Sequence, residues 1–343
     1  MEIIASSSFD EVKLFTEMGY KVFSLGGVYQ NENLGDNLRG SIPNFVPDPE
    51  LGIIPQTKDN VHPDLVNWAD IIIVTHNHPA KEHPQPWIAN NWKLFKESKK
   101  PIIWRSIGQS NELVEESLKK FRKEGLKIVR YSPKEETIPS YQGSDALIRF
   151  YASPVEYDGY IGNIARLVNI SQALFGGPNQ NSRGDHMNLK EFKQIVEGSN
   201  WKVFGKDNEN AGEHNGGVLS YEDLKSMLRF NRAYVYVGTR PASYTLGFIE
   251  AWMTGIPIIS IGNYFGNSIY TNQKTFEVPD LIGENGVAGF YSDSINDLRD
   301  YCKQLLEDQE LAKKIGQAGR IKAIEYFGKD IIEQAWKDFF KIL

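Results

Sequence analysis

Twice along its 343 residues the chain alternates short, continuous apolar runs with longer amphipathic stretches, and this pattern constrains the fold more than any other feature. A run such as Ile71–Thr75 offers water no polar face, so as a strand it must be covered on both sides. Residues 2–5, 21–25, 102–104 and 127–130 read the same way. Helices are expected near 10–18, which Gly19 ends, and near 87–98 and 110–124. Repeats of this kind build parallel sheets wound on both faces. Residues 30–62, rich in Asn, Gly, Pro and Asp, interrupt the pattern as a long loop.

The second alternation starts near 188, with helices at 188–197, 220–229 and 245–254 and strands at 201–204, 233–237 and 256–260. Helices over 294–307, 309–326 and 329–341 close the chain. The intervening segment 151–187 carries Gly and Pro clusters and holds the expected boundary between an N-terminal domain, 1–160, and a C-terminal domain, 161–328. The fold class is α/β, with two Rossmann-like, doubly wound domains. Each presents a crevice at its strand C-termini, and facing crevices would merge into an interdomain cleft.

Composition removes several classes. The single cysteine, Cys302, allows no intrachain disulfide, and its helical setting reads as a small buried hydrophobe. The N-terminus lacks a basic stretch followed by an apolar one, and no apolar run approaches the ~20 residues needed to span a bilayer. A cytoplasmic location is therefore expected. The first 170 residues hold 19 of the 38 basic and 22 of the 44 acidic residues, so each part carries −3 and no basic domain announces nucleic acid. The clusters at Lys93–Lys100 and at Lys119, Lys120, Arg122, Lys123, Lys127 and Arg130 read as solvated helix faces. The first strand runs into Ser6-Ser7-Ser8 rather than a Gly-x-Gly-x-x-Gly turn, which argues against a nicotinamide-dependent oxidoreductase. No P-loop and no Gly-x-Ser-x-Gly elbow occurs.

The most informative segment is 233–262, AYVYVGTRPASYTLGFIEAWMTGIPIISIG. A buried strand ends at Gly238, a polar turn follows, and a helix starts near Thr245. The unpaired N–H groups and positive dipole end of that helix form a ready site for a diphosphate. Leu246, Ile249, Trp252 and Met253 make a buried stripe, while Ser243, Gly247, Glu250 and Thr254 share another face. Gly247 costs ~1 kcal/mol inside a helix, which points to a close approach there. Glu250 could accept both hydroxyls of a ribose, or could be a surface carboxylate near the helix dipole.

The segment resembles the signature of retaining GT-B glycosyltransferases close to glycosyltransferase family 4, in Pro241, Ser243, Gly247, Phe248, Glu250, Gly255 and Pro257. The run 305–339 resembles that family's closing helices, and the resemblance covers about 200–343, with pattern-level similarity before it. It implies a nucleotide-sugar donor, UDP-linked, held mainly by the C-terminal half, and a last helix, about 329–343, that packs back on the first domain. It also implies a donor site of Ser243, Tyr244, Thr245, Gly247 and Glu250. The family's first motif glutamate falls at Ala242 here, so the donor sugar, hexose or pentose, stays open. The diphosphate-gripping cation is Arg183 or Arg240, with Lys206 a weaker candidate; each could also sit in a surface ion pair.

In the first half, His76 and His78 follow a strand, and the resemblance implies a histidine near here touching the sugar. With His83 they could instead hold a metal or simply form a polar loop; no metal site is expected. Arg105 and Ser106 leave the next strand, and Gln109 and Ser110 can cap the helix beyond, so Arg105, Ser106 and Gln109 form either an acceptor-side anion or hydroxyl site or plain capping. Gly26 and Gly27 end another strand, either for close approach of the donor or as a turn.

Catalysis of this type needs no resident cofactor: the diphosphate leaves as an acceptor hydroxyl attacks from the same face, stabilised by the helix N-terminus and an arginine. Acceptors in range are a saccharide, a lipid-linked or small molecule, or a hydroxymethylated base of phage-type DNA, which the charge does not favour. A nucleotide-sugar 2-epimerase of the same fold and a non-catalytic nucleotide-sugar-binding module are the alternatives.

Overall fold

A computed structural model of the chain describes residues 1–6, 9–24, 63–75, 87–108, 110–267 and 272–343. They form two compact units, one of Met1–Tyr151 with Ile332–Leu343, the other of Ala152–Ile331.

The first unit runs β1 (Glu2–Ser6), α1 (Phe9–Glu17), β2 (Lys21–Ser24), α2 (Pro63–Trp68), β3 (Ile71–Thr75), α3 (Trp87–Glu97), β4 (Ile102–Arg105), α4 (Glu112–Lys123), β5 (Lys127–Arg130) and β6 (Ala146–Leu147). The strands form a parallel sheet in the order β2-β1-β3-β4-β5-β6. Its apolar runs are explained by the two-residue period of a strand. On one face Ile72, Val74, Ile102, Trp104 and Ile128 meet Trp92 and Phe95 of α3 and Leu118 and Phe121 of α4. On the other, Ile71, Ile73, Ile103 and Val129 meet Phe15 of α1 and Trp336 and Phe339 from the C-terminal residues. Each fully buried side chain of this size contributes about 1.5–3 kcal/mol.

The second unit runs β7 (Ile164–Ile170), α5 (Leu189–Val196), β8 (Trp201–Phe204), α6 (Tyr221–Phe230), β9 (Asn231–Tyr236), α7 (Leu246–Thr254), β10 (Ile258–Ile261), α8 (Asn263–Asn267), α9 (Val278–Ile282), β11 (Phe290–Ser292), α10 (Ile295–Glu307) and α11 (Gln309–Phe327). α12 (Lys329–Lys341) follows, and its residues from Ile332 belong to the first unit. The sheet is parallel, in the order β11-β10-β9-β7-β8. β7 lies between β8 and β9, inside the segment expected to be a connection. Its polar Arg166 and Asn169 interrupt the apolar run; Asn169 is nonetheless buried and donates to the Val235 carbonyl at 2.9 Å. α7 packs closely on α11. A Cβ on Gly319 would stand 2.5 Å from Trp252 Nε1, the atom that donates to the Ala288 carbonyl at 3.0 Å. Cys302 is buried, and burial pushes its thiol up to about 12. No helix among the described residues is long and apolar enough to cross a membrane.

Two substitutions test the first unit. Arg130 and Glu115, both buried, form a bidentate pair at 2.7 and 2.9 Å. Glu115→Gln should lower unfolding stability by about 3 kcal/mol in urea, because it takes the bidentate carboxylate from a buried guanidinium and leaves it only Glu135, at 3.8 Å. Burial pushes the Asp145 carboxyl up, but the Ile128 N–H, Arg122 and Lys127 outweigh it and hold it below the usual range. A depressed carboxyl stabilises the fold above its unfolded value, and that contribution disappears as pH falls through the folded one. Asp145→Asn should therefore cost about 1 kcal/mol at pH 7 and nothing below the folded value, read by melts across pH 2–7.

Candidate functional site

Strand order reverses between β7 and β9: from β7 the chain moves to β8 on one side, then returns to β9 on the other. In open α/β sheets ligands bind outside the strand C-termini at such a switch point. Here two connections meet there, 171–188 after β7 and 237–245 after β9. Asn188, left-handed at φ 51°, donates its side-chain N–H to the Val237 carbonyl at 2.7 Å. The Arg240 N–H reaches the His186 carbonyl at 2.8 Å, and the Arg240 guanidinium donates to the Asp185 carbonyl. Arg183 is held by its own N–H on the Ala173 carbonyl at 2.7 Å. Gly184 beside it must be glycine, since a Cβ there would lie 2.7 Å from Leu189.

The result is an open depression of about 850 Å³, lined by Ser182, Gly184, Asp185, Asn188, Lys190, Lys193 and Arg240 among others. Arg240 lines it, and Arg183 sits between two lining residues. The structure thus brings together the segments that carry the two arginines, through the bond from the Arg240 N–H to the His186 carbonyl. Lys206 is exposed, and its carbonyl accepts from Ala173.

Beyond Arg240 the chain turns through Pro241 into α7. Thr245 is the N-cap; its hydroxyl accepts from the Phe248 N–H, and Thr245, Leu246 and Gly247 are partly exposed. The first turn of α7 therefore presents its N–H end at the polar turn, with the dipole behind it. Gly255, left-handed at φ 87°, closes the helix.

Several expectations need correction. Tyr244, expected at the donor, is a buried side chain, its ring 5.3 Å from Phe327, edge to face. Ser243 is fully buried, and its carbonyl accepts from the Glu277 N–H at 3.1 Å. α7 has no polar surface face, because every residue from Phe248 to Thr254 is buried. Glu250 is therefore not a surface carboxylate: it is 3% exposed and accepts from the Tyr157 hydroxyl at 2.9 Å. Gly247 is not demanded by packing, since a Cβ there would make ordinary contacts, 3.5 Å to Tyr234 Oη and 3.7 Å to Ile170.

In the first unit Arg105 and Ser106 are interior groups rather than an exposed anion site. Arg105 Nε pairs with Glu11 at 3.0 Å, Nη2 donates to the Arg149 carbonyl, and the guanidinium lies 4.5 Å from the Phe150 ring. Ser106 and Ser110 each donate to Glu135 at 2.7 Å, and the cap of α4 is Asn111. Burial pushes the Glu135 carboxyl up, against the opposing pull of Arg130 and the two serines. Gly26, Gly27, His76, His78, His83 and Gln109 lie outside the described residues.

The sequence reading missed Asn188 and Tyr157. Asn188 resembles an ordinary helix cap; its real bond, to a carbonyl 49 residues on, leaves no local trace. Tyr157 lies in an aperiodic stretch whose only signal is its aromatic content, Tyr151, Tyr157 and Tyr160.

No protein-family model matches the chain, and no curated protein matches it. Solved structures do. Anabaena HepE, in complex with UDP-glucose, aligns with a TM-score of 0.66 at 11% identity over 100% of both chains. An alpha-glucosyltransferase in complex with UDP and a 13-mer DNA containing an HMU base aligns at 0.58 and 12% identity, over 100% of this chain and 99% of that one. TarM aligns at 0.59 and 13% identity over 82% of this chain, which spans 58% of TarM's length. The chain therefore has the fold of the GT-B glycosyltransferases.

Because packing leaves room at position 247, Gly247→Ala should raise stability by up to about 1 kcal/mol. If a ligand approaches the helix there, the same protein should lose affinity for UDP; calorimetry of the melt and of UDP binding reads both.

Proposed function

We propose that the chain transfers a sugar from a UDP-sugar to an acceptor hydroxyl, with retention, in the manner of glycosyltransferase family 4. The observation that carries this reading is the meeting of the Arg183 and Arg240 segments at the β7/β9 switch point, beside the N-terminus of α7. Two arginines, a helix dipole and unpaired helix N–H groups match a diphosphate in charge and in hydrogen-bonding character. The UDP and UDP-glucose complexes of the similar structures are in keeping with that donor.

In this reading the α7 N-terminus takes the diphosphate through main-chain N–H groups from Thr245 onward, not through the side chains of Ser243 and Tyr244. Arg240 and Arg183 carry the charge that develops on the leaving phosphate, so a metal ion is not required for that role. Glu250 accepts the ribose hydroxyls. His76 serves the sugar. The acceptor hydroxyl attacks from the face the diphosphate leaves, and positioning supplies the remainder of the acceleration. The acceptor is a saccharide, lipid-linked or small molecule, or a hydroxymethylated base. The alpha-glucosyltransferase bound to HMU-containing DNA makes the last worth direct assay. A cytoplasmic location accords with a nucleotide-sugar donor.

The test is a panel of nucleotide sugars, first by thermal shift and then without acceptor. UDP-sugars should stabilise the protein and hydrolyse slowly to UDP. Epimerised donor would replace this reading with a 2-epimerase, and binding without turnover with a binding module. Arg240→Ala should reduce turnover by about 10²–10³-fold, and Glu250→Ala should weaken UDP binding at least about tenfold, or 1.4 kcal/mol. A Glu250→Ala protein with unchanged donor affinity and turnover would sink the assignment of the ribose site.

A further inference from the structure

The donor reading leaves unexplained a tyrosine that is wholly buried yet polar at its tip. Tyr157 is 0% exposed, and its hydroxyl donates to Glu250 Oε1 at 2.9 Å. The residues around it hold its main chain tightly. The Tyr157 N–H bonds to the Ser153 carbonyl at 3.0 Å, and Ser153 Oγ accepts from the Glu156 N–H. Arg320 of α11 donates to the Tyr157 and Pro154 carbonyls and also to the Met253 carbonyl in the last turn of α7. Arg229 of α6 donates to the Glu156 and Asp158 carbonyls. The Tyr157 ring packs edge to face on Tyr221 at 6.0 Å.

One guanidinium thus ties the segment carrying the hydroxyl to the helix carrying the carboxylate. A glutamate side chain has three rotatable bonds, and a hydrogen bond from a fixed donor selects one arrangement. Resting on the ribose reading of Glu250, we propose that Tyr157 is a positioning residue. Its hydroxyl holds one carboxylate oxygen of Glu250 so that the group is preset to receive the ribose hydroxyls of the donor, and Arg320 fixes the distance between the two elements.

The test uses calorimetric titration of the full chain with UDP and with 2′,3′-dideoxy-UDP, for the wild type, Tyr157→Phe, Glu250→Gln and the double variant. Tyr157→Phe removes a single oxygen. It should weaken UDP binding about tenfold and leave binding of the dideoxy nucleotide unchanged. That second titration also confirms that the variant is folded. In the Glu250→Gln background, adding Tyr157→Phe should change nothing more. Equal losses for UDP and the dideoxy nucleotide would show a merely structural tyrosine and overturn the proposal. So would a Tyr157→Phe protein that binds UDP like the wild type while Glu250→Gln does not. If Glu250→Gln itself binds UDP unchanged, the ribose reading falls and the proposal with it, an outcome distinct from the first two.

Discussion

The hydrogen bonds that Asn188 and His186 share with Val237 and Arg240 hold the second unit's candidate site in one piece. A parallel sheet leaves its strand C-termini as unpaired carbonyls, and each must find a donor or water. Here the Val237 carbonyl takes its donor from the opposite connection. Satisfying the strand end and joining the connection after β7 to the one after β9 are thus the same event. The left-handed backbone at Asn188 follows from it, as does the start of α5 immediately afterwards. Asparagine tolerates that conformation better than most side chains.

The first unit solves a comparable problem by burial. Arg105 and Arg130 end neighbouring strands, and both are enclosed with carboxylates, Glu11 for the former and Glu115 and Glu135 for the latter. Isolated charges could not survive there, and charges paired with a carboxylate can. Enclosed in this way, Arg105 is held by its partners and lies 5.6 Å from the Trp336 ring. What a surface reading of Arg105 and Ser106 treats as ligand chemistry is internal cross-linking of the end of β4 to α1, to Arg149 and to residues 131–135 beyond β5.

Much of the architecture was legible because continuous apolar runs and helical periodicity are local. Ile71–Thr75 and the helices of the second half fell close to their expected places for that reason. β7 was not legible, because Arg166 and Asn169 break its run, and only the neighbouring strands explain why Asn169 can be buried. At the site, the turn after β9 and the helix beyond it were readable as strand, Gly, polar turn and helix. Which face of α7 would be covered was not readable, and Glu250 moved from a polar face to the interior. Tyr157 is 93 residues from its partner, a separation that no periodicity records.

The membership of Ile332–Leu343 in the first unit sets an order of events during synthesis. Chains emerge from their N-terminus and fold as units become complete. Residues 152–331 can close their core once they have all emerged. The first unit, although begun earlier, lacks Trp336 and Phe339 until residues 152–331 have been made, and those two residues share with α1 the covering of one face of its sheet. The unit begun first is finished last, and in the interval the part of its sheet that Trp336 and Phe339 will cover stays open to water.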